Sequence, residues 1–136
     1  MTPRRWLLLA NPLLAATITQ AIGDGWIRDL AELAKRKPLA GDSGFGGAVG
    51  KAKHQAKSQF SNWLKASFDV SVDPDSIFDS QVKRIHEYKR QLLNALRVVA
   101  LYNRLRENPA LEMAPRTFFF AGKAAPAYHL AKIIIK

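Results

Sequence analysis

Apolar positions fall into stretches of different period along the chain, and each stretch predicts a different element. Trp6 to Ala10 is a short apolar run bounded by turn residues, which predicts a buried segment closed by Asn11-Pro12 as a strand-to-helix turn. Pro12 suits the first turn of a helix over 13–22, and Gly23-Asp24-Gly25 ends it. Trp26, Ile27, Leu30, Leu33 and Ala34 recur at helical spacing as far as Pro38. Lys35, Arg36 and Lys37 then fall in the last turn, and a solvated helix end is a plainer reading of them than a nucleic-acid patch. Five glycines lie between Gly41 and Gly50, followed by Lys51 and Lys53. A phosphate-cradling loop would need Ser or Thr straight after its lysine and a strand before its glycines, and neither is present. The better expectation is a basic helix over 48–68, with Phe60, Trp63 and Leu64 toward a core and Lys51, Lys53, Lys57 and Lys65 toward water.

Asp73-Pro74-Asp75 predicts a turn, and alternation at Phe78, Ser80, Val82 and Arg84 predicts a strand over 77–85. From about Tyr88 the period becomes helical, with Leu92, Leu93, Leu96, Val99, Ala100 and Leu105 forming an apolar stripe as far as Asn108-Pro109. Residues 116–121, with Thr117 and three consecutive phenylalanines, predict a buried parallel strand that Gly122 turns into a final helix over 124–136. The fold class is therefore α/β and mostly helical, with a strand-turn-helix that opens a βαβ unit whose partner strand is missing. Lys132-Ile133-Ile134-Ile135-Lys136 carries no helix stop signal, so the last element is expected to be cut short.

The length of 136 residues, with 48% hydrophobic and 24% charged side chains, suits one domain with a core and excludes collagen-like or wholly disordered chains. Twenty-one Lys and Arg against 11 Asp and Glu give +10, which favours anionic partners. Cysteine is absent, which rules out thiolate metal sites, disulfides and a Cys nucleophile. Arg4 and Arg5 before the apolar run imitate a secretory leader, but Asn11-Pro12 interrupts it too early. No apolar stretch reaches the ~18 to 20 residues of a membrane-spanning helix, so a soluble protein with no membrane partner is expected.

The densest chemistry is QVKRIHEYKRQLLN, residues 81–94, where Lys83, Arg84, His86, Lys89 and Arg90 are opposed by Glu87. On one continuous helix Arg84 and Lys89 would diverge by about 140°. A strand-to-helix junction removes that difficulty, with Arg84 ending the strand and Lys89 and Arg90 in the first helical turn. Fixed cations there conflict with the positive end of the helix dipole by ~0.3 to 1 kcal/mol each, and a bound anion would resolve the conflict. His86 taken alone reads as a structural hydrogen-bonding partner rather than a general base. These residues leave open a phosphate site, a solvated basic face, or a nonenzymatic module that binds nucleic acid or another polyanion.

QVKRIHEYKRQLLN, together with TPRRWL at Thr2 to Leu7 and GKAAPAYHLAKIIIK at Gly122 to Lys136, closely resembles the α-glucan phosphorylases, the glycogen, starch and maltodextrin enzymes. The three blocks occur in family order and span the chain. The resemblance implies a cytoplasmic glycosyltransferase, dependent on pyridoxal 5'-phosphate, that splits a terminal α-1,4-glucosidic bond with inorganic phosphate to give glucose 1-phosphate. It implies an intact enzyme that is a homodimer of chains with two Rossmann-type domains, takes an α-1,4-glucan and phosphate as partners, and has no specific nucleic-acid partner. Residues 1–136 would be the start of the C-terminal, cofactor-binding domain, truncated at both ends. The Schiff-base lysine and the N-terminal domain would lie outside the chain, which alone should be inactive.

Carried over by motif position, Arg84 and Lys89 are the expected catalytic pair and bind the substrate phosphate, with Lys89 also reaching the cofactor phosphate. Lys83 would line the same pocket, Tyr88 would face the glucosyl unit, and Trp6 would pack against the pyridine ring. Lys123 falls in a matching motif without a role beyond strand-to-helix packing. Ala121 and Ala127 stand where the family usually has glycine, so either would be strained if its position required a glycine-only backbone angle. The glycine-rich 41–50 stretch also departs from the more charged helical sequence expected there.

Overall fold

A computed structural model describes residues 3–136, which divide into two compact units, one ending at Pro74 and the other running Asp75–Lys136. The regular elements described in the first unit are all helices. Helix α1 (Pro3–Ala10) replaces the predicted strand-like segment, and Trp6 and Leu9 on it are exposed rather than buried. A short apolar run fits either element, and here Leu7 and Leu8 pack against the core at helical phase. Helix α2 (Pro12–Ile22) begins as expected: the Asn11 side chain accepts a hydrogen bond from Leu14 N at 2.9 Å, and Pro12 occupies the first turn, where its missing N–H costs nothing. It ends at Gly23, whose φ of 80° suits glycine.

The core of this unit is Ala15, Ile18 and Trp26, with Leu7, Leu8, Leu14, Ile22, Ile27 and Leu33 against it. Trp26 is fully buried, and its indole N–H donates to Thr19 Oγ1 at 3.1 Å, so its one polar atom is satisfied. Residues Gly25–Ile27 and Leu30–Gly41 wind as 3₁₀ helix, not α-helix, and the second continues through Pro38. Proline donates no hydrogen bond and crowds the carbonyl four residues back, which disfavours α-helical winding there. Lys35, Arg36 and Lys37 therefore precede the end of the helix. Lys35 pairs with Glu32, and Arg36 Nε donates to Leu33 O at 3.1 Å.

Helix α3 (Ser43–Phe68) starts earlier than the sequence suggests and passes through Gly44, Gly46, Gly47 and Gly50. Asp42 caps it, accepting from Phe45 N at 2.6 Å, which offsets part of the ~1 kcal/mol that each helical glycine costs relative to alanine. Its buried positions are Ala52 and Ser61. Phe60 and Trp63 are exposed instead of facing a core, and they stack on each other with ring centroids 5.7 Å apart.

The second unit contains strand β1 (Ile77–Val82), helix α4 (Gln91–Glu107), strand β2 (Arg116–Ala121) and helix α5 (His129–Ile135). The two strands pair in parallel, from Ile77 opposite Arg116 to Val82 opposite Ala121. Thus β1-α4-β2 is a complete βαβ unit, while the unit that β2 and α5 open has no closing strand among the described residues, as expected. Strand β1 ends at Val82, short of Ile85, and α5 begins at His129 after a loop, not at Ala124. Leu92, Leu93, Leu96 and Val99 do lie on a helix, but each is more than half exposed, because α4 turns inward the face that carries Gln91, Asn94, Val98, Leu101 and Leu105. Strand β2 is half-buried in its centre, with Phe119 edge-on to Phe78 at 4.9 Å.

The expected strain at Ala121 and Ala127 is absent: among the described residues the only non-glycines with positive φ are Asp69 and Arg90. Glycine is required one position later. A Cβ on Gly122 would lie 2.1 Å from the Lys83 carbonyl oxygen, because the two backbones still run side by side beyond the strands. Gly122→Ala should lower the stability of the chain by about 1–3 kcal/mol through this overlap. Chemical denaturation measures it, and an unchanged midpoint would show that the backbones do not approach so closely.

Candidate functional site

The C-terminal edge of a parallel sheet is where α/β folds bind ligands, since the loops that leave the strands converge there. In the second unit both loops stay in register past the strand ends. Lys83 N donates to Ala121 O at 3.0 Å and Ile85 N donates to Lys123 O at 3.1 Å. These bonds hold Lys83, Arg84 and Lys123 at one edge. The chain then makes a 3₁₀ turn over Glu87–Lys89 and enters α4 through Arg90, whose φ of 60° and ψ of 34° are left-handed. Lys89 and Arg90 thus precede α4 and do not occupy its first turn as the sequence suggested. A left-handed arginine costs ~1–2 kcal/mol, and such strain gathers at sites where geometry matters.

The charges at this edge are not neutralised locally. Among the described residues, the side chains of Lys83, Arg84 and Arg90 have neither an ion-pair nor a hydrogen-bond partner, and Lys83, Arg84 and Arg90 are exposed. Beside β1, by contrast, two cations are paired: Asp79 takes Arg97 at 2.7 Å and Arg116 at 3.6 Å. Glu87, the carboxylate within the cationic run, is engaged by the Tyr128 hydroxyl, which donates to its Oε2. Helix α4 has no acidic residue in its first turn and no side-chain cap, so its N–H groups add to the positive field.

Tyr88 is exposed, with its ring 4.0 Å from the His86 ring and the Lys89 ammonium 5.7 Å from its centroid. On its other side the His86 ring lies 4.8 Å from that of Tyr128. The structure therefore brings Lys83, Arg84, Tyr88 and Lys89 onto one loop without enclosing them. A cavity of about 320 Å³ at the same edge is lined instead by Ile85, Gln91, Ala95, Phe120, Gly122 and Ile134, among others. Trp6 stands exposed on α1 in the first unit.

Two residues that the sequence reading passed over shape this loop. Gln91 is 5% exposed, and its amide donates to Arg84 O at 3.0 Å while accepting from His86 N at 3.4 Å. Gln81 donates to Lys89 O at 2.9 Å and accepts from Asn94 Nδ2 at 2.9 Å. Hydrophobic periodicity treats both as surface positions; only a polar residue at the phase of the helix's buried side hints at Gln91.

The hydrogen bond to Glu87 raises the Tyr128 pKa above the usual 10.0, since losing the proton would set two negative charges together. The protonated phenol is the form the fold favours, so any stability from this contact is fully present below pH 10.0 and is lost as pH rises through the raised value. A spectrophotometric titration, read as the difference between the unaltered chain and Tyr128→Phe, should show phenolate forming above that pH. Glu87→Gln should bring the transition back toward it, and a difference curve already centred at the ordinary tyrosine value would refute the contact.

The model of the carbohydrate phosphorylase family matches residues 1–136. Brain-form glycogen phosphorylase of Bos taurus is 54% identical over 136 residues, and the liver form of Homo sapiens and glycogen phosphorylase of Synechocystis are each 50% identical. Each comparison covers 100% of this chain and 16% of the relative, so the chain spans about one sixth of the length of the curated relatives it matches. With the family pattern running from its first residue to its last, the chain belongs to the carbohydrate phosphorylase family.

Proposed function

We propose that this chain supplies the phosphate-holding edge of a cytoplasmic α-1,4-glucan phosphorylase that uses inorganic phosphate to release glucose 1-phosphate. The observation that carries the reading is the unpaired cationic loop at the shared C-terminal edge of β1 and β2. In this reading residues 75–136 open a Rossmann-type domain, and residues 1–74 are the helices before it. The apolar stripe of α4, more than half exposed at Leu92, Leu93, Leu96 and Val99, supports a larger fold around it. No helix of the described residues is long and apolar enough to cross a membrane.

Arg84 offers a planar fork able to bind two phosphate oxygens at once, while Lys83 and Lys89 act as compact charges beside it. The same donor set fits pyridoxal 5'-phosphate through its phosphate, which Lys83 and Lys89 would hold. The cofactor, when bound, would supply proton transfer at the substrate phosphate. The work of the protein is electrostatic. Two phosphates in contact repel by ~4 kcal/mol per unit-charge pair at 4 Å in an effective dielectric near 20, and the fixed cations offset that repulsion. Tyr88 would contact the glucosyl unit. The lysine that carries the cofactor and the glucan-binding domain are not in these 136 residues, so the isolated chain should not turn over.

The test transplants residues 1–136 in place of the matching stretch of the human liver form and compares Arg84→Ala with the unaltered insert. Loss of a bidentate phosphate contact should raise KM for phosphate at least about tenfold and leave KM for glycogen within about twofold. Equal losses in both, or a transplanted enzyme without phosphorolysis, would contradict the reading.

A further inference from the structure

The one carboxylate of the cationic loop, Glu87, is bonded to Tyr128 and to none of the loop's cations, and the loop's backbone is held in two places by neutral side chains. Gln91, at the start of α4, is buried and bridges two backbone groups that flank Ile85: it donates to Arg84 O and accepts from His86 N. Ile85 N is in turn bonded to Lys123 O. Residues 84–86 are thus pinned from the α4 side by one amide and from the β2 side by the continued ladder. Ile85 lines the apolar cavity while Arg84 next to it is exposed, so the pinned backbone presents the guanidinium on the solvent side.

The chemistry of position 91 is narrow. The side chain must give a proton to a carbonyl and take one from an N–H, which a primary amide does and neither Glu nor Lys can do. It must also be uncharged, because a carboxylate there would attract the arginine and lysine needed for an anion. Gln81 follows the same logic at the far end of the loop, where its amide holds Lys89 O. We infer that Gln91 is a positioning residue for phosphate recognition: its buried amide fixes the backbone of Arg84 and so the place from which the guanidinium meets the anion.

This inference rests on the phosphorylase reading above. The direct structural readout is amide hydrogen exchange in the full 136-residue chain, where Gln91→Met should remove protection of the His86 amide. Gln91→Glu keeps the acceptor for that amide but sets a carboxylate oxygen against Arg84 O. In the transplanted liver-form enzyme both variants should raise KM for phosphate about tenfold, with KM for glycogen within about twofold. A residue that only supported the fold would move both constants, or the yield of folded enzyme, together. If Gln91→Met does not fold, Gln91→Glu decides alone. Unchanged phosphate KM in the Gln91 variants, beside a raised value in Arg84→Ala, would overturn this inference and spare the underlying reading. Unchanged phosphate KM in Arg84→Ala would sink both.

Discussion

The hydrogen bonds Lys83 N to Ala121 O and Ile85 N to Lys123 O carry the parallel ladder past the ends of both strands, and the rest of the candidate site depends on them. They require Gly122, since any side chain there would enter the Lys83 carbonyl. They place the loop with Lys83 and Arg84 beside the loop with Lys123. They also hold Ile85 against the apolar cavity, so that the charged neighbour of Ile85 faces solvent. A loop free of the ladder would let its cations drift apart under mutual repulsion, so the backbone bonds set against that repulsion are the condition for a concentrated positive edge.

Charge management in the second unit follows from this arrangement. Asp79 sits within β1 and takes up Arg97 and Arg116, the cations that pack along the sheet. Glu87 sits inside the cationic run but is engaged by Tyr128, and Gln81 and Gln91 hold the loop without adding charge. Arg97 and Arg116 beside β1 are matched, while Lys83, Arg84 and Arg90 lie unmatched within eight positions at one edge. That local concentration, more than the net charge of +10, marks the candidate anion site.

The sequence disclosed what local pattern can carry. Residues 116–121 read as a strand because threonine and three phenylalanines form one apolar run, and β2 has those bounds. The start of β1 was legible from alternation, its end was not, because ladder bonds continue where the regular strand has stopped. The pairing of β1 with β2 joins segments on either side of α4, which no local period reports. Trp6 to Ala10 misled because five apolar residues fit either period. The glycines before Ala48 hid the start of α3, where the Asp42 cap overrides weak propensity. At the candidate site the residue types were legible, whereas the left-handed Arg90, the Tyr128 contact to Glu87 and the two glutamine clips depend on tertiary placement.

If the edge shared by β1 and β2 concentrates unmatched cations for phosphate, that anion should reach this edge before any other part of the chain. Amide chemical shifts of the full chain during titration with inorganic phosphate test it most directly. Shifts should be confined to residues 83–90 and 122–123 and should saturate together. Shifts spread evenly over the exposed lysines of α3 and the loop, or none in the loop while α3 responds, would contradict it.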